Sequence, residues 1–248
     1  MVSGFDLSGK TALITGATRG IGKIIGDVFI DNGANLFFTG TNSSKIAKLN
    51  KQESNPKIKW LDADFSTSKG INIFLDKLDG NNIDICVNNA GLNIIKPFTD
   101  FTSQDYKILM NTNLAAPFSI TKHLIPSMVE NGYGRIVNVA SIWSKITKSE
   151  RSLYTISKTG LVGFTKSMAV EYASSNVLVN AVSPGFTKTD LTARSLTKEE
   201  IDTISNQIPI GRFAEPIEIA NIILFLCSNS NTYITGQNIV ADGGFTLV

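Results

Sequence analysis

Two side chains four residues apart, Tyr154 and Lys158, carry the clearest chemistry in the sequence. On a helix that spacing puts both on one face, close enough to interact. A phenol titrates near pH ~10, too high to trade protons readily at neutrality, and a neighbouring ammonium favours the phenolate. Taken alone, Tyr-x-x-x-Lys is an ordinary helix-surface pair. Ser141, thirteen residues before the tyrosine and just past an apolar run, changes that reading. Its hydroxyl can hydrogen-bond a carbonyl oxygen on which charge develops. A hydroxyl, a phenol and an ammonium together suit proton exchange at an oxygen-bearing carbon.

A second constellation precedes it. The run Thr15-Gly16-Ala17-Thr18-Arg19-Gly20-Ile21-Gly22 follows a short apolar stretch and opens a helical pattern. Glycines there let the backbone turn tightly and approach a pyrophosphate, with the helix N-terminus facing the anion. A phosphate-binding P-loop needs four residues between its first glycine and a Gly-Lys pair, followed by Ser or Thr. Here five residues separate Gly16 from Gly22-Lys23 and Ile24 follows, so that alternative fails.

These residues need elements to hold them. Short apolar runs bounded by Gly, Asn or Asp predict strands at Thr11–Ile14, Leu36–Phe38, Ile58–Leu61, Ile83–Val87, Ile136–Val139, Leu178–Val182 and Asn238–Val240. Between them Ile21, Ile24, Ile25, Val28 and Phe29 fall on one helical face, with Gly33 as a C-cap. A long helix is expected over Leu153 to Ala173. Strand–helix alternation predicts an α/β protein with a parallel sheet covered on both faces, its ligand beyond the strands' carboxyl ends. No composition break marks a second domain, and Thr187–Phe213 is the place for a variable cap.

The order and spacing of these motifs resemble the short-chain dehydrogenase/reductase family. Thr-Gly-x-x-x-Gly-x-Gly is one mark of it; Asn88-Asn89-Ala90-Gly91, Asp64 with Phe65, Pro184-Gly185 with Thr187 and Thr189, and the Asp242-Gly243-Gly244 ending are others. The resemblance implies a single Rossmann-like doubly wound domain over 1–248, with a seven-stranded, mostly parallel sheet. The cofactor half would run to about residue 140 and the catalytic half from 141. It implies a nicotinamide dinucleotide held by Gly16, Thr18, Arg19, Gly20, Ile21, Gly22, Thr41, Asn42, Asp64, Phe65, Asn89, Ala90, Gly91, Pro184, Gly185, Thr187 and Thr189. Tyr154 is then the acid/base, Ser141 holds the substrate oxygen, Lys158 binds the nicotinamide ribose, and Asn113 supports a relay water.

NADP(H) is expected over NAD(H). Family members using NAD carry an acidic residue where this chain has Gly40, and Arg19 can meet a 2′-phosphate. The other reading of Arg19 is a solvated loop residue. For the substrate, the chain most resembles 3-oxoacyl-acyl-carrier-protein reductases, which often carry two surface arginines at the positions of Gly132 and Ser175. The basic loop after Ser141, with Trp143, Lys145, Lys148 and Arg151, suits a small polar ketone, sugar or sugar acid instead. A regulatory NADP(H)-binding protein is the alternative from another class.

The remaining expectations come from composition. A net charge of +2 with scattered Lys and Arg gives no nucleic-acid stripe. Cys86, Cys227 and the lone His123 predict buried thiols and no metal site. Met1 to Lys10 lacks a signal pattern, and Ile222–Cys227 is too short to span a bilayer. A cytoplasmic protein without a membrane partner is expected. Family resemblance implies a homotetramer, or a homodimer, with Phe164 and Met168 on a packed face.

Overall fold

The computed structural model describes residues 5–189, 192 and 196–248. Seven strands form one sheet, all parallel, in the order β3-β2-β1-β4-β5-β6-β7. They are β1 (Thr11–Ile14), β2 (Asn35–Gly40), β3 (Ile58–Asp62), β4 (Ile85–Asn88), β5 (Gly134–Val139), β6 (Val177–Pro184) and β7 (Asn238–Ala241). Every residue of β4, β5 and β6 is buried, as strands covered on both faces must be. The helices supplying that cover are α1 (Gly20–Asp31), α2 (Ser43–Gln52), α3 (Ser68–Leu78), α4 (Ser103–Met110), α5 (Ala116–Glu130), α6 (Ser152–Tyr172), α7 (Lys198–Ser205) and α8 (Pro216–Cys227). One core layer packs Ile25 and Phe29 of α1 with Ile219 and Ile223 of α8. The other packs Phe74 of α3, Ile120 and Leu124 of α5 and Ala169 of α6.

The sheet is wholly parallel, not mostly so, because β7 returns after α8 to pair in parallel with β6. Several strands outrun the apolar runs that mark them. In β6, Ser183 and Pro184 continue the ladder opposite Val240 and Ala241, although a polar residue and a proline end the hydrophobic signal. β4 begins two residues later than expected. Before it, the Asp84 carboxylate accepts from the Thr11 amide at 2.9 Å and faces Lys10 at 3.7 Å.

Gly33 adopts φ +92 just past α1 and donates to Ile30, closing that helix as expected. Cys86 and Cys227 are free and buried, and His123 lies 3.5 Å from Asp79. Among the described residues no group of His, Cys, Asp or Glu is placed to hold a metal, and no helix is long and apolar enough to cross a membrane. Within the expected cap over Thr187–Phe213, residues 190–191 and 193–195 lie outside the described ones.

Strand order reverses between β1 and β4. Loops after those two strands diverge there, and a cleft of about 770 Å³ opens beyond their carboxyl ends.

Candidate active site

The glycine loop forms one wall of that cleft. Gly16 has φ +67 and Gly20 φ +57, left-handed conformations that favour glycine. A Cβ on Gly22 would lie 2.5 Å from the Gly16 carbonyl oxygen, so that position has no room for a side chain. The segment after β4 braces the loop. The Thr15 hydroxyl accepts from the amides of Asn89 and Ala90 at 3.0 and 2.9 Å, and the Asn89 side chain donates back to Thr15 and Gly16. The Gly16 amide donates to Thr39 Oγ1 of β2 at 3.0 Å.

At the end of β2 a Cβ on Gly40 would stand 2.5 Å from Thr18 Cγ2 and 3.0 Å from Ile46 Cδ1. Next to it Asn42 caps α2, accepting from the Lys45 amide at 2.8 Å. Asp64 turns its carboxylate onto the Ser66 amide and hydroxyl while still lining the cleft.

Opposite stands the catalytic cluster. Ser141 follows β5, and its hydroxyl accepts from the Trp143 amide at 3.3 Å and hydrogen-bonds the Tyr154 phenol. One turn into α6 from Tyr154, Lys158 is almost wholly buried, and its ammonium donates to the Val139 carbonyl at 2.7 Å. Burial pushes the lysine down to about 8. Burial also pushes the tyrosine up, partly opposed by the Ser141 hydrogen bond and the charge of Arg151. The ammonium sits 5.8 Å from the Tyr154 ring centre, over its face.

Asn113 lies at the centre of a wide, five-residue π-turn, Asn111–Ala115, between α4 and α5. Such turns interrupt α-helices where a side chain must be redirected. The fully buried amide of Asn113 accepts from the Leu92 N–H at 2.9 Å and donates to Leu92 O at 2.9 Å and Ser157 Oγ at 3.1 Å. Both of its N–H bonds are spent on protein atoms. The side chain thus ties the loop after β4 to α6, one residue from Lys158. A buried chain adds a second tie between α6 and the sheet, running from Asn88 to Asn138 Oδ1 at 2.8 Å and from Asn138 to Thr165 at 2.9 Å.

All the residues expected to meet a cofactor line this one cleft, together with Ser141, Trp143, Tyr154 and Lys158. Asn113 and Arg151 stand behind its surface. Lys145 does not belong to it: exposed, it lends its charge to Asp242 instead. Lys45, absent from the sequence reading, lines the cleft beside Arg19, Thr41 and Asn42. Its placement follows from the cap at Asn42, a signal readable only once α2 is known to start there. Phe186, also unanticipated, packs edge-on to Trp143 and Phe245, with centroids 6.5 and 5.2 Å away. A cradle without side chains at Gly16 and Gly22, a helix N-terminus and cations at one end fit a dinucleotide.

Comparisons with known proteins agree. The family model described as enoyl-(acyl carrier protein) reductase matches residues 16–246. The 3-oxoacyl-[acyl-carrier-protein] reductase of Aquifex aeolicus (strain VF5) is 38% identical over 245 residues, covering 96% of this chain and 98% of that protein. Among solved structures, the 3-oxoacyl (acyl-carrier-protein) reductase of Agrobacterium tumefaciens C58 with NADP bound superposes with TM-score 0.90 at 28% identity, over 98% of this chain and 97% of that one. The gluconate 5-dehydrogenase of Burkholderia cenocepacia J2315, in complex with NADP and tartrate, gives TM-score 0.90 at 27% identity, over 99% and 98%. With its glycine cradle, its Ser-Tyr-Lys cluster and these relatives, the chain belongs to the short-chain dehydrogenase/reductase family, NAD(P)-dependent oxidoreductases acting on CH–OH and C=O groups.

Proposed function

We propose that this chain interconverts a carbonyl compound and its alcohol with NADP(H), Tyr154 exchanging the proton at the substrate oxygen. The observation that carries the proposal is the convergence of Ser141, Tyr154 and Lys158 on the cleft opposite the glycine cradle. When bound, the nicotinamide supplies or accepts the hydride at the reacting carbon. In reduction Tyr154 gives its phenolic proton to the oxygen, and Ser141 holds that oxygen through its hydroxyl. Lys158 binds the nicotinamide ribose, Pro184, Gly185, Thr187 and Thr189 flank the carboxamide, and Asp64 with Phe65 flanks the adenine. Asn113 acts by keeping Leu92 and Ser157 in place.

NADP(H) preference rests on the β2–α2 corner. An acidic side chain at Gly40 would meet Thr18, and Arg19 and Lys45 both border that end of the cleft. The likeness to the Aquifex and Agrobacterium reductases supports a 3-oxoacyl group on an acyl carrier protein as substrate. Gly132 and Ser175 bring no charge to dock that carrier. A second reading, a small polar ketone or sugar acid, is favoured by the Trp143–Arg151 loop and by the likeness to a gluconate 5-dehydrogenase. We read 1–248 as one domain, working in the cytoplasm as a homotetramer, on the support of its free buried cysteines and exposed apolar helix faces.

Tyr154→Phe tests the proposal. Loss of the general acid should lower kcat by about 10²–10⁴-fold, while NADPH binding, followed by its fluorescence, stays within about twofold of wild type. Undiminished turnover in the variant would remove Tyr154 from the chemistry. Unchanged turnover with NADH in place of NADPH would remove the cofactor preference.

A further inference from the structure

The turn that carries Ser141 is tied to the last strand of the sheet by side chains the proton-transfer chemistry does not use. Ser141 opens a short 3₁₀ turn, Ile142–Ser144. Its carbonyl accepts twice from Ser144, from the amide at 2.9 Å and from the hydroxyl at 2.7 Å. Against that hydroxyl stand Ser183 of β6, fully buried, and Asn238 of β7. Ser183 donates to Asn238 Oδ1 at 2.7 Å, and Asn238 Nδ2 donates to Ser144 Oγ at 3.4 Å. The two serine oxygens lie 3.2 Å apart. Pairing of β6 with β7 does not call for an amide here, since Ile239 and Val240 keep the same ladder with apolar side chains.

Counting protons gives the cluster a direction. A serine hydroxyl has one proton to give, so two protons face three oxygen–oxygen contacts. The Ser141 carbonyl and the Asn238 amide oxygen can only accept, and both are reached at 2.7 Å, so they take both protons. The Ser144 oxygen is then left to accept from the Asn238 amide. Donation runs one way, from Ser183 to Asn238 to Ser144 to the Ser141 carbonyl, each link polarising the next.

We propose that Ser144, Ser183 and Asn238 are positioning residues for Ser141, holding its peptide so that its hydroxyl stays aimed at the Tyr154 phenol and the substrate oxygen. The inference rests on the Tyr154-centred reductase reading. Ser141 and Tyr154 line the cleft and the three residues of the chain do not, so the chain reaches the chemistry through Ser141. The same turn sets Trp143, whose amide donates to Ser141 Oγ at 3.3 Å and whose side chain borders the cleft. Loosening the turn therefore misplaces the hydroxyl and the indole together.

The test places Ser144→Ala, Asn238→Leu and the hydroxyl-keeping Ser144→Thr in the wild-type chain and in a Ser141→Ala background. NADPH consumption is followed with acetoacetyl N-acetylcysteamine and with a ketogluconate, and thermal melting verifies that each variant is folded. Ser144→Ala and Asn238→Leu should each lower kcat by about 3–10-fold, the weight of one hydrogen bond, with NADPH affinity within about twofold of wild type. Ser144→Thr should restore most of the loss. In the Ser141→Ala background the same changes should be silent, because no hydroxyl remains to be aimed. Losses that persist undiminished there, or an unchanged kcat in both variants, would overturn the inference. A readout without turnover comes from Trp143, the sole indole once Trp60→Phe is introduced. Its fluorescence anisotropy should fall in Ser144→Ala and Asn238→Leu and hold in Ser144→Thr. Failure of wild type to reduce either probe would count against the reductase reading, and anisotropy would then decide the positioning alone: unchanged values in both variants overturn it.

Discussion

Lys158 is the costliest side chain in the cleft to keep charged. Held at about 8 against an ordinary 10.5, its protonated form is disfavoured in the fold by about 3 kcal/mol, at 1.36 kcal/mol per pH unit. Between those two values the unfolded chain binds more protons than the folded one, so stability from this group rises with pH from 8 to 10.5. Below pH 8 the full penalty is present. Lys158→Met should therefore stabilise the protein without cofactor at pH 7, by about 1–3 kcal/mol after loss of the Val139 hydrogen bond, and raise Tm by a few degrees. Melting curves should show that advantage shrinking toward pH 10, while kcat collapses at every pH. At this scale the sequence named Ser141, Tyr154, Lys158 and Asn113 from spacing and resemblance. It could not reveal that both N–H groups of Asn113 are committed to Leu92 and Ser157, since hydrogen-bond partners across 21 and 44 residues leave no local mark.

The proposed preference for NADP(H) is tested at the corner between β2 and α2. Gly40→Asp would place a carboxylate there and a Cβ against Thr18. NADPH affinity should fall by about 10–100-fold, the size of one misplaced charge contact. NADH affinity should gain less, because Thr18 must first move. Adding Thr18→Ser should release that gain, and titrations of both cofactors against both variants measure it. Strand positions were readable from apolar runs flanked by turn residues, and α1 from its stripe of isoleucines. The π-turn at Asn111–Ala115 was not readable, because one extra residue per turn does not alter an amphipathic pattern as short as Asn-Thr-Asn-Leu-Ala. Lys45 was missed for a related reason, its direction being set by a cap at Asn42.

At the scale of the whole molecule, α5 and α6 each leave large apolar side chains exposed. Phe118 is half exposed and packs against Phe164 with ring centres 5.7 Å apart, and Val170 and Ile156 are exposed on α6. Apolar faces of this kind mark association surfaces. Phe118→Asp combined with Val170→Asp should shift the mass in light scattering from a tetramer to dimers or monomers, with NADPH binding retained. An unchanged mass would place the contact elsewhere. Strand order belongs to this scale too: alternating strands and helices predicted a covered parallel sheet, but the insertion of β4 beside β1 leaves no local signal in the sequence.

That insertion carries a consequence for how the protein is made. Thr15 Oγ1 holds amides that lie 74 and 75 residues further along the chain, and β1 has one open edge until β4 arrives. A nascent chain that has left the ribosome only as far as β3 therefore contains every glycine of the nucleotide loop and the Thr39 that braces Gly16, yet lacks the Asn89 and Ala90 groups that complete its bracing. The full set of contacts around the binding loop forms only after synthesis has passed Gly91.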